Sequence, residues 1–233
     1  MKGNDTSVNQ ITEGVIWKQL LLFFFPILLG TFFQQLYNTA DTVVVGRFVG
    51  KEALASVGGS TAQLANLVVG FFVGLASGAT VVISQFYGAR DREQVNRSLR
   101  TAYAFSIVGG ILITIVGILT ASWLLELMNT PQQLMKDSLI YLQIYFGGIL
   151  FVFVYNTGSS ILRAVGDSKT PLYVLIVCCL LNIVLDLLLV VGFHMGVAGA
   201  AIATIFSQAV SAVLVTGALM RSDDIYKLHL REI

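Results

Sequence analysis

The chain has 233 residues, 56% of them hydrophobic and only 12% charged, with a mean hydropathy of +0.81. Average soluble domains carry about 25% charged residues, so the composition excludes an ordinary water-soluble core and indicates an integral membrane protein. The net charge of +1 leaves no basic footprint for a nucleic-acid partner.

The N-terminus, Met1 to Glu13, is polar and carries both signs of charge. It lacks the basic start, short apolar core and cleavage site of a signal peptide, so the first helix is expected to be both targeting signal and permanent span. A span needs about 20 mostly apolar residues. Six such runs are predicted: Trp17 to Val45, Thr61 to Tyr87, Thr101 to Leu125, Ser138 to Leu162, Leu172 to Phe193 and Val197 to Met220. The small-residue stretch from Ala53 to Ser60 reads as a short interfacial element entering the second span. The expected organisation is a cytoplasmic segment (1–16), a six-helix transmembrane unit (17–220) and a charged tail (221–233). No three-plus-three repeat is legible between the two halves of the chain.

Orientation follows from where the basic residues fall. Eleven of the fourteen lie on one side, from Lys2 and Lys18 through Arg90–Arg100, Arg163 and Lys169 to Arg231; Arg47, Lys51 and Lys136 lie on the other. The positive-inside rule then predicts both termini in the cytoplasm, and an even number of spans agrees.

Polar residues inside these spans carry the functional expectation. Gln34, Asn38 and Asp41 are spaced i, i+4, i+7 on one face of the first helix, with Tyr37 beside them. Such a stripe can line a wet cavity, hold a counter-ion or bind a neighbouring helix. A carboxylate in hydrocarbon costs roughly 2.5–3.5 kcal/mol or more and is a functional candidate by default. Asn182 and Asp186 repeat the pattern at i, i+4 in the fifth span. Asp186 lies 14 residues after Leu172, about 21 Å along the helix, so both acids fall in the outer half of the membrane and can share one cavity. An amide oxygen and a carboxylate one turn apart suit a small hard cation or a proton whose carrier sits in low dielectric. Sodium at Asp41, Asn182 and Asp186 and protonation of the acids are both open. Thr204, Ser207, Gln208 and Ser211 of the sixth span either complete the cavity wall or simply permit close helix approach. The residues thus predict a cation-coupled solute transporter.

Other features are less specific. Pro26 removes a backbone hydrogen bond and bends its helix, either as a static kink or as part of a switch. Gly70, Gly74 and Gly78 form overlapping GxxxG steps, expected to pack helices together. Cys178 and Cys179 read as small apolar core residues. The loops Tyr87 to Glu93 and Arg163 to Pro171 read as tight turns or charge locks between helix ends. No nucleophile–base pair and no phosphate loop appears, so no enzyme activity and no cofactor is expected.

Taken in order, the residues resemble a known family. Pro26, then Leu36-Tyr37-Asn38-Thr39-Ala40-Asp41, Gly88-Ala89-Arg90-Asp91, Ile161-Leu162-Arg163 with Gly166-Asp167, Asn182-Ile183-Val184-Leu185-Asp186 and Gly196-Val197-Ala198-Gly199-Ala200-Ala201 are similar to the N-terminal lobe of multidrug and toxic compound extrusion (MATE) transporters. The branch is the prokaryotic one that includes the DNA-damage-inducible F proteins. The resemblance implies a twelve-helix protein of two six-helix lobes, related by a pseudo-two-fold axis along the membrane normal. It implies an inner-membrane antiporter that exports small organic, often cationic, compounds in exchange for protons or sodium. It implies cation coupling at Asp41 and Asp186, with Asn182 beside the latter, and bending at Pro26. This chain corresponds to six helices, so a second lobe or a homodimer partner is expected in addition to membrane lipid, and residues 221–233 become an inter-lobe linker. A lipid-linked precursor flippase of the same superfamily, or a non-transporting membrane scaffold, are the alternatives. A flippase usually needs a more basic central cavity, and Arg163 is the one basic residue close to a span interior.

Overall fold

The computed structural model describes residues 16–221; the predicted N-terminal segment before Ile16 and the tail beyond Arg221 lie outside the described residues. All regular structure among the described residues is helical, as hydrocarbon demands, because a helix satisfies its own backbone hydrogen bonds. Helix α1 runs Ile16–Phe48, α2 Lys51–Gly58, α3 Ser60–Gly88, α4 Arg92–Leu127, α5 Gln132–Gly147, α6 Ile149–Ala164, α7 Lys169–Asp186 and α8 Gly196–Arg221; a π-helical segment, Leu187–Gly192, follows α7 directly.

Five stretches are long and apolar enough to cross a membrane, with α2 and α3 counted as one; the bent pair α5 and α6 makes a sixth. The six-span expectation therefore holds, with two corrections. The fourth span is not one helix but two, bent by 50° at Gly148. At the bend a Cβ on Gly148 would stand 2.0 Å from Ile205 Cγ2 of α8, so α8 seats against bare backbone there. The fifth span is not α-helical to its end, because it widens to π geometry immediately after Asp186. The predicted interfacial element is present as α2, joined to α3 at Gly59. The third span begins earlier than predicted, at Arg92 rather than Thr101, so the arginine-rich approach to it is helical.

Helix α8 sits at the centre. It packs against α5, α6, α7 and the π-helical segment, while α1 lies on α7 and α3 lies on α4 and α6. The packing is close where glycine allows it. Gly110 meets Leu150, Gly117 meets Phe146, and Gly158 meets Val215 and Tyr103. Gly70, Gly74 and Gly78 pack no helix within this bundle: among the described residues nothing lies within 4 Å of a Cβ built on any of them. They face away from α4 and α6.

Both loops flagged in the sequence lead into capped helices. Asp91 accepts from the Gln94 amide (3.1 Å) at the start of α4, satisfying an orphan donor. Asp167 accepts from the amides of Lys169 (3.1 Å) and Thr170 (3.0 Å) at the start of α7. Between elements, Ser138 donates to the Ser56 carbonyl (3.2 Å), tying α5 to α2. The ring of Phe72 stacks on Phe153 at 3.8 Å, tying α3 to α6.

Candidate ion and solute site

The two acids, far apart in sequence, meet where α1, α7 and α8 converge. The apolar surface of α1 from Val44 and Val45 packs with Val190, Val197, Ala200 and Ala201, and this places Asp41 against α7 and α8. Thr204 donates its hydroxyl to Asp41 Oδ2 at 3.2 Å. The Asp41 side chain also lies within interaction range of Asp186 and Asn182, although neither meets hydrogen-bonding geometry. Asn182 and Asp186 are 0% exposed, and Thr204 is buried.

Among the described residues, Asp41 Oδ1, both carboxylate oxygens of Asp186, both amide atoms of Asn182 and the Tyr37 hydroxyl are buried without a hydrogen bond. Orphaned buried polar groups are costly, about 1–3 kcal/mol each and more when charged, and call for an explanation such as a bound ion or water. Converging oxygens from two carboxylates, an amide and a hydroxyl suit a hard monovalent cation, and two facing carboxylates equally suit a shared proton. The π-helical turn sits against this cluster, a geometry frequent at functional sites.

The cavity-lining residues predicted with the acids divide between three surroundings. Tyr37 and Thr204 belong to the acid cluster; further along α8, Ser207 is buried and Gln208 half-buried, with the Ser207 hydroxyl and Gln208 Oε1 unpartnered among the described residues. Asn38 is exposed and donates to Gln35 Oε1 at 3.3 Å. Gln34, seven residues before Asp41 and about 10 Å away along the helix, lines a separate small polar cavity of about 100 Å³ with Pro26, Tyr155, Asn156, Arg163 and Ser168. Pro26 is thus a wall of that cavity, inside the continuous helix α1.

One residue was not legible in the sequence. Tyr141 of α5 is buried and faces Asp41, Asp186 and Thr204, and its ring lies parallel to Tyr145 at 6.2 Å. A tyrosine pair at i, i+4 in the fourth span was the available signal. It does not say which way the pair points.

A multi-span helical bundle that buries an acid pair, an amide and hydroxyls at its centre is the architecture of a membrane transporter, not of an enzyme. The MatE family model matches residues 26–188, and the chain belongs to this family. It is 34% identical over 196 residues to Probable multidrug resistance protein YoeA of Bacillus subtilis, covering 82% of this chain and 42% of that protein. It is 37% identical over 201 residues to Probable multidrug resistance protein YpnP of the same organism, covering 86% and 45%. Among solved structures, a MATE in the straight conformation aligns with a TM-score of 0.88 at 28% identity, over 97% of this chain and 50% of that one. The bent conformation aligns less closely, with a TM-score of 0.79 at 28% identity over 89% and 46%. The chain spans about half the length of the relatives it matches.

Proposed function

We propose that the chain forms one lobe of a secondary antiporter that exports small organic, typically cationic, compounds in exchange for protons or sodium. Asp41, Asp186 and Asn182 bind the coupling cation, with Thr204 as a fourth oxygen donor. The single observation that supports this most is the convergence of these four side chains from three helices, with most of their polar atoms buried and unpartnered. A buried acid pair serving only to pack helices has its lone pairs satisfied by neighbours; this one is left open to an ion. Binding of the cation on one side of the membrane and of the organic solute on the other then compete for the same region, which is what exchange requires.

The reading includes an inner-membrane location with both ends of the bundle on the cytoplasmic side, as the arginine distribution supports. It also includes a second lobe, from another chain or a second copy, facing α1 and α3. Those two helices bury little of their apolar windows, 11% and 6%, against 50% for α8.

The test is efflux of an organic cation from vesicles containing this chain, alone and with a matching second lobe, under imposed proton or sodium gradients. Gradient-driven efflux that Asp41→Asn and Asp186→Asn each abolish is the expected result. Efflux that neither substitution changes overturns the coupling assignment.

A further inference from the structure

A second cavity shares no lining residue with the acid cluster. It is a groove of about 430 Å³ between α3 and α4, closed at its floor by Thr157 and Ser106. Its wall on α4 is a single helical stripe: Gln94, Arg97, Ser98, Thr101, Ala102 and Phe105, spaced i, i+3, i+4, i+7, i+8 and i+11. The stripe is polar at the Arg92 end of the helix and apolar further in. On α3 the facing wall is apolar, with Leu75, Ala76, Ala79 and Val82, and the alanines leave the room. The far end is closed by Phe72, which lies 6.1 Å from Phe105.

This gradient has the shape of half a lipid. From Arg97 to Phe105 the stripe rises about 12 Å, close to the depth of one leaflet of a hydrocarbon core about 30 Å thick. The volume lies within the roughly 300–1,000 Å³ of small-molecule sites. Charge decides the class of occupant. Arg97 is the one charged side chain in the lining, and no carboxylate is present there. An organic cation brought to this mouth meets like charge, whereas a phosphate meets a guanidinium with hydroxyl and amide donors beside it. Basic pockets between helices on the arginine-rich side of a membrane are suited to anionic lipid headgroups.

We propose that this groove binds an anionic phospholipid, with its phosphate at Arg97, Gln94 and Ser98 and one acyl chain lying along Ala79, Leu75 and Phe105. The site is separate from the acid cluster and does not depend on the antiport reading. A lipid held here props α3 against α4 and leaves the glycine face of α3 free.

Native mass spectrometry of the purified 233-residue chain, released from micelles containing phosphatidylglycerol or phosphatidylcholine of identical acyl chains, tests it. Phosphatidylglycerol adducts are expected to exceed phosphatidylcholine adducts by about fivefold, the effect of one arginine near a charged surface. Arg97→Gln removes that excess; Lys136→Gln, with the same charge change elsewhere, keeps it. Ala79→Phe, checked for retained helicity, fills the groove and lowers adducts of both lipids. Equal adducts of the two lipids, or an excess that persists in Arg97→Gln, overturns the proposal. A lipid-free dimer that Ala79→Phe dissociates also overturns it, and assigns the groove to a second copy of the chain. Arg97 is exposed, so its substitution carries the conclusion even if Ala79→Phe does not fold.

Discussion

At the scale of single residues, the acid cluster and the glycines make the sharpest predictions. Thr204→Val removes the hydrogen bond that Asp41 receives from α8 while keeping the side-chain shape. A hydrogen bond to a charged group contributes about 1.5–3 kcal/mol, so apparent affinity for the coupling cation is expected to fall about tenfold or more in gradient-titrated efflux. Its maximal rate should suffer less than in Asp41→Asn. Glycine contacts separate in the same way. A Cβ on Gly158 stands 2.3 Å from Val215 Cγ1 and 2.6 Å from the Tyr103 hydroxyl, so Gly158→Ala should overpack the core by about 1–3 kcal/mol and lower the melting temperature in detergent. Gly74→Ala meets nothing within 4 Å and should leave that temperature unchanged or slightly raised, since glycine inside a helix costs about 0.5–1 kcal/mol relative to alanine. Both glycines sit inside apolar helices, and only the presence of a neighbour distinguishes them.

At the scale of elements, the bend between α5 and α6 and the π-helical end of α7 shape the site. Tyr141 of α5 faces the acids, and at the bend α8 approaches Gly148. Gly148→Ala is expected to destabilise the bundle, because its new methyl collides with Ile205. Ile205→Ala clears that space. In a double-mutant cycle the pair should be less destabilised than the sum of the single changes, as measured by thermal unfolding; strict additivity would mean that the contact does not hold the bend. Neither feature was legible in the sequence. The fourth span reads as one uninterrupted apolar run, and Gly147-Gly148 within it looks like any tolerated pair in a membrane helix. At the break it meets Ile205, which comes from a helix more than fifty residues later in the chain.

At the scale of the whole molecule, the question is what covers α1 and α3. Their outward faces carry exposed Phe24, Phe25 and Phe32 on α1 and Leu67 and Phe71 on α3, beside the unpacked glycines of α3. Aromatic side chains suit lipid, whereas bare glycine suits a second helix at close range. If a second lobe docks there, Gly74→Leu should leave the isolated bundle folded yet abolish efflux with the co-expressed partner lobe, and reduce its co-purification. Orientation is testable independently. In a Cys178→Ser, Cys179→Ser background, an impermeant maleimide added to intact cells should label Lys51→Cys and not Arg92→Cys, and the reverse pattern would place the termini outside.

What the sequence determined by itself is the set of properties that follow from short-range physics. Charge depletion dictates the membrane, apolar run length dictates the six spans, and the energetic cost of Asp41 and Asp186 in hydrocarbon singles them out as candidates. The ordered motifs point to the family. Only the tertiary structure decided which polar residues share a site. Gln34 and Asp41 lie on one helix face, yet Gln34 lines a small cavity with Tyr155 and Arg163 of α6 and Leu175 of α7, while Asp41 meets Thr204 of α8. The same holds for the glycines of α3 and the stripe on α4. A helix face has a meaning in sequence only as a periodicity; what it touches is set by residues folded in from elsewhere in the chain.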